Sequence, residues 1–281
     1  MSKAKGAAKV AGVVGSPIAQ SLSPVMHGAW IRAAGLDAVY APFETTPGGF
    51  SSFIQGLRRA SLLGLNITAP FKGQAARLAD IRSQEVSLTG SANLLLFRGG
   101  QIEAHSTDGV GLIWALTTAG LEAPERAVIM GAGGAAAAAL PALSRWGVRE
   151  IIVAARRPST AGWLRNVAAG VSVAPWEDLP DAVAGAPLLI NATPMGLHGS
   201  SSPEVPLERM APGAAVMDMV YRPLETPLLR AARAAGLRPI DGLDMLIGQG
   251  RPSFEALFGQ PPDVRLDIRA LLEQALAETT T

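Results

Sequence analysis

Short apolar runs alternate along the chain with stretches whose apolar positions recur every three or four residues. The first kind reads as buried strand and the second as helix, and their alternation predicts an α/β fold. The first predicted strand is VAGVV, over 10–14. A helix from Pro24 to Ala34, ended by Gly35, comes next. A strand over 38–44 and a helix over 48–60 follow. A third strand, over 64–68, runs into a helix after Pro70. The run ANLLLF, the turn Arg98-Gly99-Gly100 and QIEAHS predict a hairpin. A long helix then covers about Gly109 to Ala119. A second α/β series starts at AVIMGAG, with a helix over 134–146 and strands over 151–156, 187–193 and 214–220. A helix over 226–235 and further helices in DGLDMLIGQGRPSFEALFG close the chain. No internal repeat or low-complexity linker interrupts the pattern, and the boundary between the series is placed near the helix over 109–120.

Composition narrows the function classes. The 281 residues carry 24 Lys+Arg against 23 Asp+Glu, so a nucleic-acid binder working through a basic surface is disfavoured. With 48% apolar residues the chain is no disordered polymer. The absence of cysteine excludes disulfides, thiolate metal sites and a cysteine nucleophile, and fits a reducing compartment. Three histidines, His27, His105 and His198, are too few for a multi-histidine metal site, and no metal is expected. The basic start MSKAKGAAK lacks the apolar core of a secretory signal, and the first eight or so residues are expected to be a disordered tail. The longest small-apolar run, Gly131 to Leu140, is too short to span a bilayer. The expectation is a cytoplasmic protein that acts on small molecules, with neither nucleic acid nor membrane as partner.

Only four of the 24 basic residues are lysines, and Lys3, Lys5 and Lys9 fall in the tail or at its edge. Lys72 is then the one lysine of the folded body. One residue is a small sample, but lysine can be tuned to give up a proton near neutrality and arginine cannot, so Lys72 is a candidate acid–base group.

Gly131-Ala132-Gly133-Gly134-Ala135-Ala136 follows a strand and opens a helix, the context in which a glycine turn cradles a pyrophosphate on free N–H groups. A tight turn packed for its own sake is the alternative. The next strand ends Ala155-Arg156-Arg157, with no acid to hold a ribose hydroxyl pair. Arginine there suits a 2′-phosphate and favours NADP(H) over NAD, unless the two arginines are merely solvated. Asn66 and Thr68 share one face of a strand end ahead of Lys72, a place for a ligand or for loop hydrogen bonds. Ser21 and Ser23 precede a helix start, where they fit either an anion site or, for Ser23, a cap before Pro24. Asp108 in STDG reads equally as a helix cap and as a catalytic acid.

Taken in order, these segments resemble the shikimate dehydrogenase family over about residues 12–260. GSPIAQSLSPVMH matches the opening pattern GxPxxxSxSPxxH, NITAPFK matches NxTxPxK, and GAGGAA matches the cofactor turn. STDG, NATPMG, VYRPLETPLL and GLDMLIGQG match four further blocks. The resemblance implies a substrate domain over 9–107, a Rossmann-type NADP-binding domain over 108–240, and C-terminal helices over 241–281 that return to the first domain, with a cleft between the two. It implies NADPH-dependent reduction of 3-dehydroshikimate to shikimate. Lys72 and Asp108 become the catalytic pair. Ser21 and Ser23 hold the substrate carboxylate, and Asn66, Thr68, Asn93, Tyr221 and Gln249 complete the substrate site. Gly131, Ala132, Gly133, Gly134, Ala135, Arg156 and Arg157 bind the cofactor, with Asn191, Thr193, Pro194, Met195 and Val220 on its nicotinamide side. The protein is expected as a monomer or a homodimer.

Three positions depart from the family pattern. Leu94 stands where a threonine follows the asparagine, Ser106 replaces the asparagine of NTDG, and Ala155 replaces that of NR. The first two keep open a relative acting on quinate or an amino-shikimate. A non-catalytic nucleotide-binding regulator is the remote alternative, disfavoured by Lys72 and Asp108. No Tyr-x-x-x-Lys pair is present for a short-chain reductase.

Overall fold

A computed structural model describes residues 8–197, 200–201 and 204–278. Residues 1–7 of the expected disordered tail, and His198, lie outside the described residues. The chain divides into two compact units, one of residues up to Thr107 together with Gln249 onward, the other of Asp108–Gly248.

The first unit holds β1 (Lys9–Gly15), α1 (Ser23–Ala33), β2 (Ala38–Glu44), α2 (Phe50–Leu57), β3 (Leu62–Ile67), α3 (Lys72–Leu78), β4 (Ile81–Arg82), α4 (Gln84–Thr89), β5 (Leu94–Arg98) and β6 (Gln101–His105). The strands form one mixed sheet in the order β2-β1-β3-β5-β6-β4. β1 runs parallel to β2 and β3, whereas β3, β5 and β6 alternate in direction. Val14 lies opposite Ile67, which sets the ends of β1 and β3 level. The continuous apolar run of β1 is what a central parallel strand requires. A core of Val14, Leu65, Ile67, Leu95 and Ile102 packs against Phe50, Ile54 and Val86. Phe71, stacked 4.5 Å from Phe50, anchors the start of α3 in that core.

The second unit runs α5 (Asp108–Thr118), β7 (Arg126–Met130), α6 (Gly134–Trp146), β8 (Glu150–Ala155), α7 (Pro158–Ala161), β9 (Val171–Pro175), α8 (Leu179–Ala182), β10 (Leu188–Asn191), β11 (Ala215–Asp218), α9 (Pro227–Ala234) and β12 (Arg238–Ile240). Its sheet is parallel throughout, in the order β12-β11-β10-β7-β8-β9. Counted from β7 this is the 3-2-1-4-5-6 order of dinucleotide-binding folds, in which ligands sit beyond the strand ends where the order reverses. Here that point lies between β7 and β10. The alanines of α6 serve close packing, because a Cβ on Gly109 of α5 would fall 2.8 Å from Ala142 Cβ. α10 (Leu243–Phe258) carries the second division inside it, later than the expected 240/241, and α11 (Ile268–Glu278) packs on α1 in the first unit.

The expected elements are present, and several unexpected ones join them. β4 has two exposed residues and no apolar run to announce it. β9 and β12 contain Pro175 and Pro239 and sit at the sheet edges, where proline is tolerated. α4 is too short for helical periodicity, although its Ser83 cap and left-handed Gly90 both stand in the sequence. Ser23 is not a cap: Leu22 occupies that position, Ser23 is the first helical residue, and no side chain caps α1. Asp108 is likewise the first residue of α5. Lys9 opens β1 instead of edging the tail, so Lys72 is the one lysine beyond the first strand. No described helix is long and apolar enough to cross a membrane, and no described group of three or more His, Asp or Glu residues could hold a metal ion.

Candidate active site and cofactor cavity

In the first unit Asn66, Thr68 and Lys72 stand at one edge of the sheet, where β3 ends level with β1, whereas the expected Asp108 and Tyr221 belong to the second unit. Thr68 follows β3, its N–H donating to the Val14 carbonyl at 3.0 Å, and Pro70 and Phe71 turn the chain into α3. Lys72 is half-buried at the first position of that helix, and its carbonyl accepts from Ala92 N–H at 3.0 Å. The lysine is therefore fixed on both sides, by the buried Phe71 and by the segment entering β5. Ser21 and Ser23 are half-buried before and at the start of α1, where the Ser21 hydroxyl accepts from Ser23 N–H at 3.3 Å.

A chain of neutral polar groups links this edge to α10. Tyr40 donates to Asn66 Oδ1 at 2.8 Å, and Asn66 Nδ2 donates to the Asn93 carbonyl at 3.2 Å and to Ser253 Oγ at 3.0 Å. Asn93 Nδ2 gives one hydrogen to Thr107 Oγ1 at 2.9 Å and one to Gln249 Oε1 at 3.1 Å, while its Oδ1 accepts from Thr107 N–H at 2.8 Å. The side-chain carbonyl of Gln249 is thus oriented by Asn93, and its NH₂ group is the part that can donate to a ligand. Beside this chain His27 is buried in a ring of aromatics, stacked 4.1 Å from Tyr40. Burial pulls its pKa down to about 3, so it is neutral at physiological pH. Burial also pushes the Tyr40 phenol well above its ordinary value, against a hydrogen bond with Ser23 that lowers it. Tyr40 serves as an uncharged hydrogen-bond donor, and both rings serve as stacking partners.

In the second unit a cavity of about 460 Å³ lies beyond the ends of β7, β8 and β10. Gly131, Ala132 and Gly133 line it, while Gly134 and Ala135 open α6 behind them. Gly131 has φ +98°, and a Cβ there would fall 2.8 Å from Thr193 Cγ2, so only glycine lets this turn lie against the loop after β10. Thr193, Pro194 and Met195 form the facing wall. Arg156 and Arg157 line the cavity and are exposed, with Ala155 beside them. The donor set suits an anionic dinucleotide: a helix N-terminus behind a glycine turn for the pyrophosphate, two guanidinium groups and no lining carboxylate. Asn191 is different. It is completely buried, it does not line the cavity, and its amide is used within the loop. Val220 is buried at the end of β11, and Tyr221 is half-buried beside it.

Comparison with known proteins shows which family the chain is similar to. A sequence model of the shikimate dehydrogenase substrate binding domain matches residues 13–95, and one of the shikimate 5′-dehydrogenase C-terminal domain matches 242–272. The NADP(+) shikimate dehydrogenase of Caulobacter vibrioides is 45% identical, over 97% of this chain and 98% of its own. The chain belongs to the shikimate dehydrogenase family. Among solved structures, shikimate 5-dehydrogenase of Thermus thermophilus, in complex with NADP(H) and shikimate, superposes with a TM-score of 0.82 at 34% identity, over 96% of this chain and 99% of that one. A second member of the fold is the 5-ketofructose reductase of a Gluconobacter strain, with a TM-score of 0.83 at 28% identity over 98% and 100% of the two chains.

Some residues of the two sites escaped the sequence reading. Trp176, Thr160 and Ala161 line the cofactor cavity. Trp176 follows the edge strand β9, which had no signal of its own. Tyr40, Thr107 and Ser253 carry the polar chain of the first unit. Ser253 was within reach of sequence reasoning, because it stands four residues after Gln249 on one helix face, and its hydroxyl donates to the Gln249 carbonyl at 3.0 Å.

Proposed function

We propose that this chain catalyses the reversible NADPH-dependent reduction of 3-dehydroshikimate to shikimate. The observation that carries the reading is end-to-end likeness to a relative of that name, with Lys72 and Asp108 standing in NITAPFK and STDG. When bound, the nucleotide supplies the hydride. A ketone that accepts hydride becomes an alkoxide and needs a proton. Lys72, as its ammonium, polarises the carbonyl oxygen and donates that proton, and Asp108 is the second catalytic group, aligning the reacting hydroxyl. Ser21 and Ser23 take the substrate carboxylate, while Thr68, Tyr221 and the NH₂ of Gln249 take hydroxyls. Asn66 and Asn93 contribute mainly by holding Gln249 and Ser253 in place. Arg156, with Arg157, takes the 2′-phosphate of the cofactor, the Gly131–Ala135 turn its pyrophosphate, and Thr193–Met195 with Val220 its nicotinamide side. The cysteine-free sequence fits a reducing compartment, taken as the cytoplasm, and the working form is a monomer or homodimer.

A second reading, a preference for quinate or an amino-shikimate, is favoured by the two departures near the polar chain. Leu94 is buried in the core and offers no polar group, and Ser106 Oγ is buried without a hydrogen-bond partner among the described residues. Initial rates with shikimate or quinate, each with NADP or NAD, separate the readings. Fast turnover of shikimate with NADP is expected. Turnover restricted to quinate would transfer the assignment to the second reading, and none in any combination would overturn the first reading and the quinate form of the second.

A further inference from the structure

β10 and β11 end side by side, with Asn191 opposite Asp218 in the parallel register. Asp218 is completely buried. Its Oδ1 accepts from Asn191 Nδ2 at 2.9 Å and from Val220 N–H at 3.0 Å, and its Oδ2 accepts from the Thr226 hydroxyl at 2.7 Å. Asn191 passes the constraint on. Its Nδ2 also donates to the Met195 carbonyl at 3.2 Å, and its Oδ1 accepts from Thr193 N–H at 3.0 Å and from the Thr193 hydroxyl at 2.7 Å. Thr193 Oγ1 in turn accepts from Met195 N–H at 3.2 Å. Gly196, at φ +92°, turns the loop in the left-handed region and leaves it beside Thr226 and Asp218, in ordinary van der Waals reach. Burial pushes the Asp218 carboxyl up to about 6 against its three donors. At neutral pH the charge is therefore kept in the interior at a desolvation cost that an apolar residue would avoid.

We propose that Asp218 is a positioning residue for the nucleotide cavity. Through Asn191 it sets the backbone of Thr193–Met195, one wall of the cavity, and through Val220 and Thr226 it ties that wall to the segment entering α9. Asp218 itself does not line the cavity, so its effect on a ligand is exerted through the wall. The assignment of the cavity to NADP(H) is the one made above, and the test separates the two claims.

The test is amide hydrogen exchange of the ligand-free full-length protein, read residue by residue by NMR, together with calorimetric titration of NADP⁺. Thr226→Val removes the hydroxyl and keeps the shape, Thr226→Ser restores the hydroxyl, and Asp218→Asn removes the charge. Thr226→Val removes the bond from Leu229 N–H to the Thr226 hydroxyl as well, so faster exchange at Leu229 is a local capping effect. Positioning requires more: Thr193 exchange faster by roughly tenfold in Thr226→Val and Asp218→Asn, wild-type exchange in Thr226→Ser, and NADP⁺ binding weaker by about fivefold in the first two. Acceleration confined to the start of α9 overturns the proposal, and so does a serine variant no better than the valine one. Wild-type protein that binds no NADP⁺, with Thr193 still released in the variants, supports positioning of the loop and overturns the cofactor assignment.

Discussion

In the first unit a base is buried. His27 lies among Tyr40, Trp30 and Phe254, and its Nδ1 has no hydrogen-bond partner among the described residues. In the second unit an acid is buried. Asp218 sits at the end of a parallel strand with three donors around its carboxylate. Desolvation acts on both, and in each case it disfavours the charged form, so it pulls the histidine down to about 3 and pushes the aspartate up to about 6. The donors around Asp218 offset part of its shift, whereas His27 has only aromatic faces and edges. One unit thus organises its edge with neutral amides, hydroxyls and a neutral imidazole. The other fixes its cavity wall with a carboxylate that is ionised above pH 6. The difference suits the proposed ligands, since a hydroxylated substrate is read by amides and hydroxyls, and the wall of a dinucleotide cavity has to hold its backbone in place.

The strongest way to break the division of labour is Lys72→Ala. Turnover is expected to fall by roughly 10²-fold or more, with NADPH affinity unchanged when titrated by fluorescence. A variant with near-normal kcat would remove Lys72 from the chemistry. A variant that had lost NADPH binding would show that the first unit does more for the cofactor than its polar groups suggest.

Much of this division was legible in the sequence. The apolar runs AVIM, LLIN and AVMD are the central strands of the parallel sheet, and a strand buried on both faces has no alternation to confuse its reading. The glycine turn and the paired arginines announced the cavity because phosphate chemistry demands those residue types next to a helix start. Partners that meet only through folding were not legible. Nothing local connects Tyr40 to Asn66 or Asn93 to Gln249, which stand 26 and 156 positions apart. Asp218 stands inside an apolar run, where a lone carboxylate carries no periodic signal. Asn191 reads as a ligand residue only while its motif is separated from the neighbours that folding gives it.

The buried base gives the next prediction. Unfolded histidine binds a proton below about 6.5 and folded His27 does so only near 3, so its contribution to stability is present above 6.5 and is lost as the pH falls toward 3. Urea unfolding at pH 7.5 and pH 5 is expected to show wild type losing about 2 kcal/mol more than His27→Phe between the two. Equal losses would mean that the imidazole is protonated in place.

The buried acid has the opposite sign. With its folded pKa raised to about 6 from 3.8, Asp218 retains its proton in the folded state where the unfolded chain has released it. Its contribution is full below about pH 4 and is lost as the pH rises through 6. Between pH 5 and pH 8 wild type is expected to lose about 1.4 kcal/mol relative to Asp218→Asn. The two groups therefore partly cancel in the wild-type profile, and a double variant is expected to recover a profile close to that of the parent. A slope in the single Asp218→Asn variant identical to wild type would place the carboxyl among the ordinary acids.

The smallest effect tests the cavity from its exposed side. Arg156 is open to solvent, and an exposed ion pair is worth about 1 kcal/mol at most, even though the 2′-phosphate carries more charge than a carboxylate. Arg156→Ala is expected to weaken NADPH by about fivefold and to leave NADH unchanged, because only the former offers the phosphate. The ratio of the two dissociation constants is the measurement, since it cancels any general loss of shape in the cavity. Equal weakening of both would remove Arg156 from phosphate recognition. An unchanged ratio that falls only in the Arg156→Ala, Arg157→Ala double variant would show that the two guanidinium groups substitute for one another, the arrangement expected where Arg157 stands beside Arg156 on the same cavity rim.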